Sequence, residues 1–189
     1  MVRAEGLREG LIIRLGKDFY KVIFSVTHKG TATMASMVHS KLRNLQTGTI
    51  EERRFASDEK IDDLLVKKII MQYLYSNEIA HVFMNPETFE QIALNKKTLG
   101  QRGAYLIENM TIPVELYEEQ ALDVIFPKVV EIKVTSTGAG LKGKAESTYK
   151  EATLENGVVI MVPQFIKTGD IIHVEVETNR YLERVREKS

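Results

Sequence analysis

The apolar residues of this chain come in short stretches, cut at close intervals by glycines and polar turn residues, and that punctuation leaves room for little but strands. Leu11-Ile12-Ile13-Arg14-Leu15, then Gly16-Lys17-Asp18, then Phe19-Tyr20-Lys21-Val22-Ile23 reads as two strands around a tight turn. Lys41-Leu42-Arg43-Asn44-Leu45 alternates, Gln46-Thr47-Gly48-Thr49 turns the chain, and Glu51 to Phe55 can return as another strand. Strands this close together predict a small closed barrel, because closure removes exposed edges. Beyond Ile61, Gln72-Tyr73-Leu74-Tyr75 and His81-Val82-Phe83-Met84 flank the polar turn Ser76-Asn77-Glu78. Val130-Glu131-Ile132-Lys133-Val134 and Ile172-His173-Val174-Glu175-Val176 alternate, while Val158 to Val162 is apolar throughout. One face buried and one wet is the antiparallel pattern. The expectation is an all-β chain of three barrels, over residues 1–64, 65–127 and 128–189. Two short helices are predicted: one over Glu87 to Ala93, from the cap-like Asn85-Pro86, and one over Ala104 to Asn109.

Composition removes several function classes. With no cysteine among 189 residues, disulfides, thiolate metal sites and a cysteine nucleophile are excluded. No apolar run approaches the ~18 residues a spanning helix needs. Arg3, Glu5, Arg8 and Glu9 interrupt any apolar leader. Net charge is zero, which argues against binding nucleic acid by bulk attraction, but the charge is unevenly spread. Up to Ser57 there are ten basic residues and five acidic ones, so the first third is basic and the remainder acidic. A local phosphate-binding face in the first third fits that distribution.

No catalytic constellation is visible. Gly138-Ala139-Gly140-Leu141-Lys142-Gly143 has the glycine spacing of a dinucleotide fingerprint and, with Lys144-Ala145, nearly that of a phosphate-binding loop. Both need a helix next, and Glu146 to Asn156 has no sustained apolar face. His28, His39, His81 and His173 are scattered without metal-ligand spacing. No serine or threonine sits on a strand-turn-helix elbow. The segment Thr27 to His39 is different. It is small, flexible and poor in core-forming residues, and it lies between two strands, as a hairpin tip would. About five residues of paired strand at roughly 3.3 Å each would project it some 16 Å from the barrel.

Three stretches carry a family resemblance. Lys150-Glu151-Ala152, Gly157-Val158-Val159-Ile160-Met161-Val162-Pro163 and Ile166-Lys167-Thr168-Gly169 together resemble the C-terminal signature of bacterial elongation factor P. Tyr73-Leu74-Tyr75, Phe83-Met84-Asn85 and Glu87-Thr88-Phe89-Glu90-Gln91 are similar to that family's central domain. Lys41-Leu42-Arg43-Asn44-Leu45 with Thr47-Gly48 resembles the strand after its functional loop.

The resemblance implies an SH3-like (KOW-like) barrel followed by two OB barrels, arranged like the arms of a tRNA. It implies a cytoplasmic, monomeric, non-enzymatic translation factor without cofactor, metal or membrane association. Its partners would be the 70S ribosome, rRNA and the peptidyl-tRNA of the P site. It would bind between the P and E sites and relieve stalling at consecutive prolines. Proline's locked φ and secondary amine make it an awkward reactant, and holding the tRNA end in reactive geometry can recover the lost rate. The tip loop would then be Lys29, Gly30, Thr31, Ala32, Thr33 and Met34, with Lys41, Arg43 and Arg53 on backbone phosphates. In the third barrel, Lys142, Gly143, Lys144, Tyr181 and Arg184 would face RNA.

Departures from the family pattern are specific. An ungapped count back from Lys41 puts Thr33 at the tip, where many members carry an enzymatically extended lysine or arginine. Threonine offers no amine or guanidinium, so the reading favoured is that the protein works unmodified; Lys29 could serve only after a four-residue shift. A lost charged hydrogen bond would be worth about 1.5–3 kcal/mol. Gly143-Lys144 replaces the family's Gly-Asp, and Asn179-Arg180-Tyr181 its Gly-Glu-Tyr. Two rival functions are a general single-stranded nucleic-acid module and a nucleotide-dependent enzyme at the 138–144 loop.

Overall fold

In the computed structural model, residues 1–30, 35–139 and 149–185 are described. They form three antiparallel, barrel-like sheets. The first contains β1 (Val2–Arg3), β2 (Ile12–Leu15), β3 (Asp18–His28), β4 (Met37–Asn44), β5 (Ile50–Ala56) and β6 (Lys60–Asp63), in the order β1-β6-β2-β3-β4-β5. The second contains β7 (Lys67–Ser76), β8 (Ala80–Met84), β9 (Gln91–Asn95), β10 (Thr111–Tyr117) and β11 (Gln120–Val124), in the order β11-β10-β7-β8-β9. The third contains β12 (Val129–Thr137), β13 (Tyr149–Leu154), β14 (Val159–Pro163), β15 (Ile171–Glu175) and β16 (Arg180–Arg184), in the order β14-β13-β12-β15-β16. The all-β expectation is borne out.

Two compact units hold these sheets. One comprises Met1–Gly100 and Ile107–Ile125, the other Gln101–Leu106 and Phe126–Ser189. The first unit contains two sheets whose mutual packing is explicit. Ile12, Leu45, Leu64 and Leu122 form a buried cluster, joined by Phe19, Val66 and Tyr117. The Thr98 hydroxyl donates to the Leu45 carbonyl at 2.6 Å. Gly48 adopts φ +74°, and a Cβ there would stand 2.0 Å from the Lys97 carbonyl oxygen, so only glycine admits this close approach. The first barrel's own core is Ala4, Leu7, Ile13, Tyr20, Val22, Val38, Leu42, Phe55 and Ile61.

Alternation in the last third matches the burial seen. Ile132 and Val134 of β12, and Ile172 and Val174 of β15, point into a core shared with Val162 and Ile166, while Glu131 and Lys133 face water. β14 is apolar on both faces but buries only one, leaving Val159 and Met161 exposed.

Both predicted helices are corrected. Asn85 does accept from the Glu87 and Thr88 amides, at 2.9 and 3.4 Å. The turn then ends at once, because Phe89 takes φ +59° and the chain enters β9. Gln91 to Asn95 is half-buried strand, with Leu94 inward, and tertiary pairing with β8 overrides the local helix start. The helical turns lie earlier than Ala104–Asn109: α1 covers Lys96–Leu99 and a 3-10 helix covers Gly100–Tyr105. Asn95 caps α1 through the Lys97 amide at 2.9 Å, and Gly100 follows with φ +53°. That Asn-to-Gly bracket was legible in the sequence.

Candidate nucleic-acid interface

β3 and β4 pair from Tyr20–Asn44 to His28–Met37, and β5 continues the sheet from Ile50 opposite Arg43 to Ala56 opposite Met37. Beyond His28 the chain leaves the sheet. Lys29 and Gly30 are exposed, and the Gly30 amide donates to the Ser36 hydroxyl at 3.0 Å, closing the base of the loop. Thr31, Ala32, Thr33 and Met34 lie outside the described residues. The expected 16 Å projection is corrected by the burial of β4 and β5. Val38 and Phe55 remain in the core at 0% and 4% exposure, so the hairpin is barrel wall almost to its end.

The three cations predicted on this hairpin have different fates. Lys41 is exposed on the outer face, its ammonium 3.3 Å from Glu52. Arg53 is also exposed; its Nε donates to Glu51 at 2.9 Å, and its guanidinium lies 5.7 Å from the Tyr20 ring centroid. Arg43 is only 5% exposed. It pairs in register with Lys21 and shares its face, and Lys21 reaches into the second sheet, bonding Glu115 at 2.6 Å and Asp123 at 2.9 Å. Arg43 is therefore withdrawn as a surface phosphate contact, because its end of that face is buried inside the first unit while Lys41, two residues along, is not.

That cluster is the feature the sequence did not reveal. Glu115 and Asp123 are 1% and 0% exposed, and Lys68 adds a second ammonium 3.9 Å from Glu115. Charges so deeply placed are tolerated because each lies against an opposite charge. Nothing in the local pattern around Lys21 points to residues so distant in the chain.

In the second unit, Tyr181 packs half-buried against the core, and that burial raises its phenol above the ordinary value. The Arg184 guanidinium lies 6.0 Å from the Phe165 ring centroid and 3.9 Å from Asp170. Asn179, at φ +53°, accepts from the Tyr105 hydroxyl at 2.7 Å and donates to Gln101 at 2.6 Å. Lys142, Gly143 and Lys144 lie outside the described residues. Next among the described residues, Tyr149–Leu154 is strand and pairs with β12 and β14 rather than forming a helix. Among the described residues, no group of three or more His, Asp or Glu side chains could hold a metal ion. No helix among them is long and apolar enough to cross a membrane.

Each sheet corresponds to a known domain. Residues 3–61 match the elongation factor P KOW-like domain, residues 66–124 its OB domain, and residues 130–184 its C-terminal domain. Elongation factor P of Symbiobacterium thermophilum is 40% identical over 97% of this chain and 100% of its own length. That of Moorella thermoacetica is 38% identical over the same shares. A solved archaeal structure, translation initiation factor 5A from Methanococcus jannaschii, has 12% identity and a TM-score of 0.48. It covers 66% of this chain and 92% of that one, a likeness too distant to carry an argument. With identity at this level running end to end, and all three domain matches in order, the chain belongs to the elongation factor P family.

Proposed function

We propose that this translation elongation factor binds the ribosome between the P and E sites and promotes peptide-bond formation at consecutive prolines by positioning peptidyl-tRNA. It does so as a cytoplasmic monomer, without cofactor or acid-base chemistry of its own. Its working parts are three modules with boundaries near residues 64 and 127. The tip loop, Lys29 to Met34, approaches the tRNA acceptor end. Lys41 and Arg53 contact tRNA phosphates, and Lys142, Gly143, Lys144, Tyr181 and Arg184 face rRNA or tRNA. Thr33 acts unmodified.

The observation that carries this reading is how the loop is mounted. A positional catalyst must hold its contact points stiffly, since displacements of about 1 Å can cost 10²-fold in rate. The strand leading into the loop is held on the second barrel by the buried Lys21–Glu115–Asp123 cluster. The loop's base is closed by the Gly30–Ser36 bond.

The test is purified translation of a message encoding three consecutive prolines, with and without unmodified recombinant protein. Faster full-length synthesis on that message, unchanged on a proline-free one, is the expected result. Absence of any rate effect despite ribosome binding refutes action by a bare threonine tip.

A further inference from the structure

A bulge decides which side chains the functional hairpin shows to solvent. Val22 pairs with Leu42, and both point into the core. In an unbroken strand Phe24, two residues on, would point the same way. Instead the register passes from Val22–Leu42 directly to Phe24–Lys41, with Ile23 as the extra residue. The alternation is reset and Phe24 is delivered to the outer face, as bulges near functional sites commonly re-aim side chains.

From that point three cross-strand rows cover the outer face: Phe24, Lys41 and Glu52; Val26, His39 and Arg54; His28, Met37 and Ala56. Phe24 is 52% and Val26 37% exposed, although both stand mid-sheet. The rings of His28 and His39 meet edge to face with centroids 5.0 Å apart. Phe24, Val26, both histidines, Lys41 and Arg54 line a shallow concavity of about 290 Å³. The bulge leaves an aromatic ring, an aliphatic side chain and two imidazoles side by side on one exposed face. Flat rings beside cations are the composition of sites where unpaired bases stack and their phosphates are held.

We propose that this outer face is a docking site for one unpaired RNA nucleotide. The base stacks on the platform of Phe24, His28 and His39, and its phosphate is held by Arg54 and Lys41. The Glu52 carboxylate, 3.3 Å from the Lys41 ammonium, accepts hydrogen bonds from a base edge that can donate. An exocyclic amino group supplies that donor, so bases that carry one, cytosine among them, are favoured over uracil, whose single N3–H is flanked by two carbonyls. A duplex does not fit, because its base faces are covered by their neighbours. The site is built from barrel-wall residues of the three strands and needs no modified tip. It deepens the function proposed above by naming where the factor grips RNA, and rests on that reading for the identity of its partner.

The experiment is an NMR titration of the free protein with hexacytidylate, hexauridylate and an abasic ribose-phosphate hexamer of equal charge. The expected result is movement of the His28 and His39 ring signals on adding hexacytidylate. Binding should be about tenfold weaker for the abasic hexamer, the size of one stacked base. Phe24→Ala should show a similar loss, Phe24→Tyr should keep the affinity, and Glu52→Gln should erase the preference for cytidylate over uridylate. Amide spectra that overlay outside this face establish that each variant folds. Equal affinity for the abasic hexamer, shifts confined to other surfaces, or no shift at millimolar oligonucleotide overturns the site. An active proline-message assay with a failed titration rejects the site and keeps the function; a successful titration with an inactive factor does the reverse.

Discussion

The ammonium of Lys21 lies 2.6 Å from Oε2 of Glu115, a residue 94 positions further along the chain, and both side chains are largely withdrawn from water. This pair, with Asp123 at 2.9 Å, ties the strand that leads to Lys29 and Gly30 to the second barrel. The same strand therefore feeds the loop at one end and is anchored by buried charge toward the other.

Lys21→Met should destabilise the first unit strongly. It leaves two buried carboxylates without the ammonium between them, a change that costs about 3–5 kcal/mol. Urea denaturation should report this as a lower midpoint. Combining it with Glu115→Gln and Asp123→Asn should recover much of the loss, since the uncompensated charge is then gone.

Gly48→Ala should break the close approach of the two barrels in the first unit. The added carbon meets the Lys97 carbonyl at 2.0 Å, and backbone is what must move. Overpacking of this kind costs about 1–3 kcal/mol. Amide exchange should accelerate at Thr98 and Leu45 while the third sheet is unaffected.

Arg43→Ala and Lys41→Ala should separate structure from binding, although the residues are near neighbours. Arg43 is buried, so its loss should lower thermal stability, by about 1–3 kcal/mol for the partner groups left unsatisfied. Lys41 is exposed, so its loss should leave the melting temperature alone and weaken ribosome binding. A salt titration of binding should show a shallower slope for Lys41→Ala.

Two histidines should give opposite pH dependences. His173 sits between Glu183 at 3.1 Å and Glu131 at 3.2 Å. Hydrogen bonding to Glu131 first, then to Glu183, raises it above 6.5. Its contribution to stability is complete below the unfolded value and is lost as pH rises through the folded one. Burial, and secondarily Lys96, lowers His81, so its contribution is present above 6.5 and lost as pH falls through the folded value. Ring-proton titrations should place the two on opposite sides of 6.5, with His173 moving back toward it as salt is added.

The loop peptide of the protein purified from its native host should have the mass of its unmodified sequence. An adduct on Thr33 or Lys29 would sink the reading of a bare threonine tip.

Strand patterning was largely legible because alternation reports burial one residue at a time. Val130 to Val134 and Ile172 to Val176 alternate in sequence and in burial alike. The family was legible for a related reason: its motifs are contiguous runs, such as Gly157 to Pro163, that can be read without knowing what they touch. Asn85-Pro86 misled because a cap shows only that a helical turn can start. Whether Gln91 to Asn95 continued as helix or joined β8 depended on pairing that no cap encodes.

The candidate site divides along the same line. Lys41 and Arg43 are indistinguishable in sequence, two cations alternating along one strand with Leu42 between them. Both point to the same face of the strand, but only the Arg43 end is buried, beside the Lys21 that reaches the second barrel, while Lys41 stays in water; a bulge at Ile23 turns Phe24 from core to surface. By itself the sequence determined the all-β architecture, the family and the absence of thiol chemistry, since composition, periodicity and contiguous motifs are local properties. Only the tertiary structure decided which charges were buried, which aromatics faced solvent and how the strands flanking the loop were held. Those outcomes depend on what packs against each face, and the packing partners lie tens of residues away along the chain.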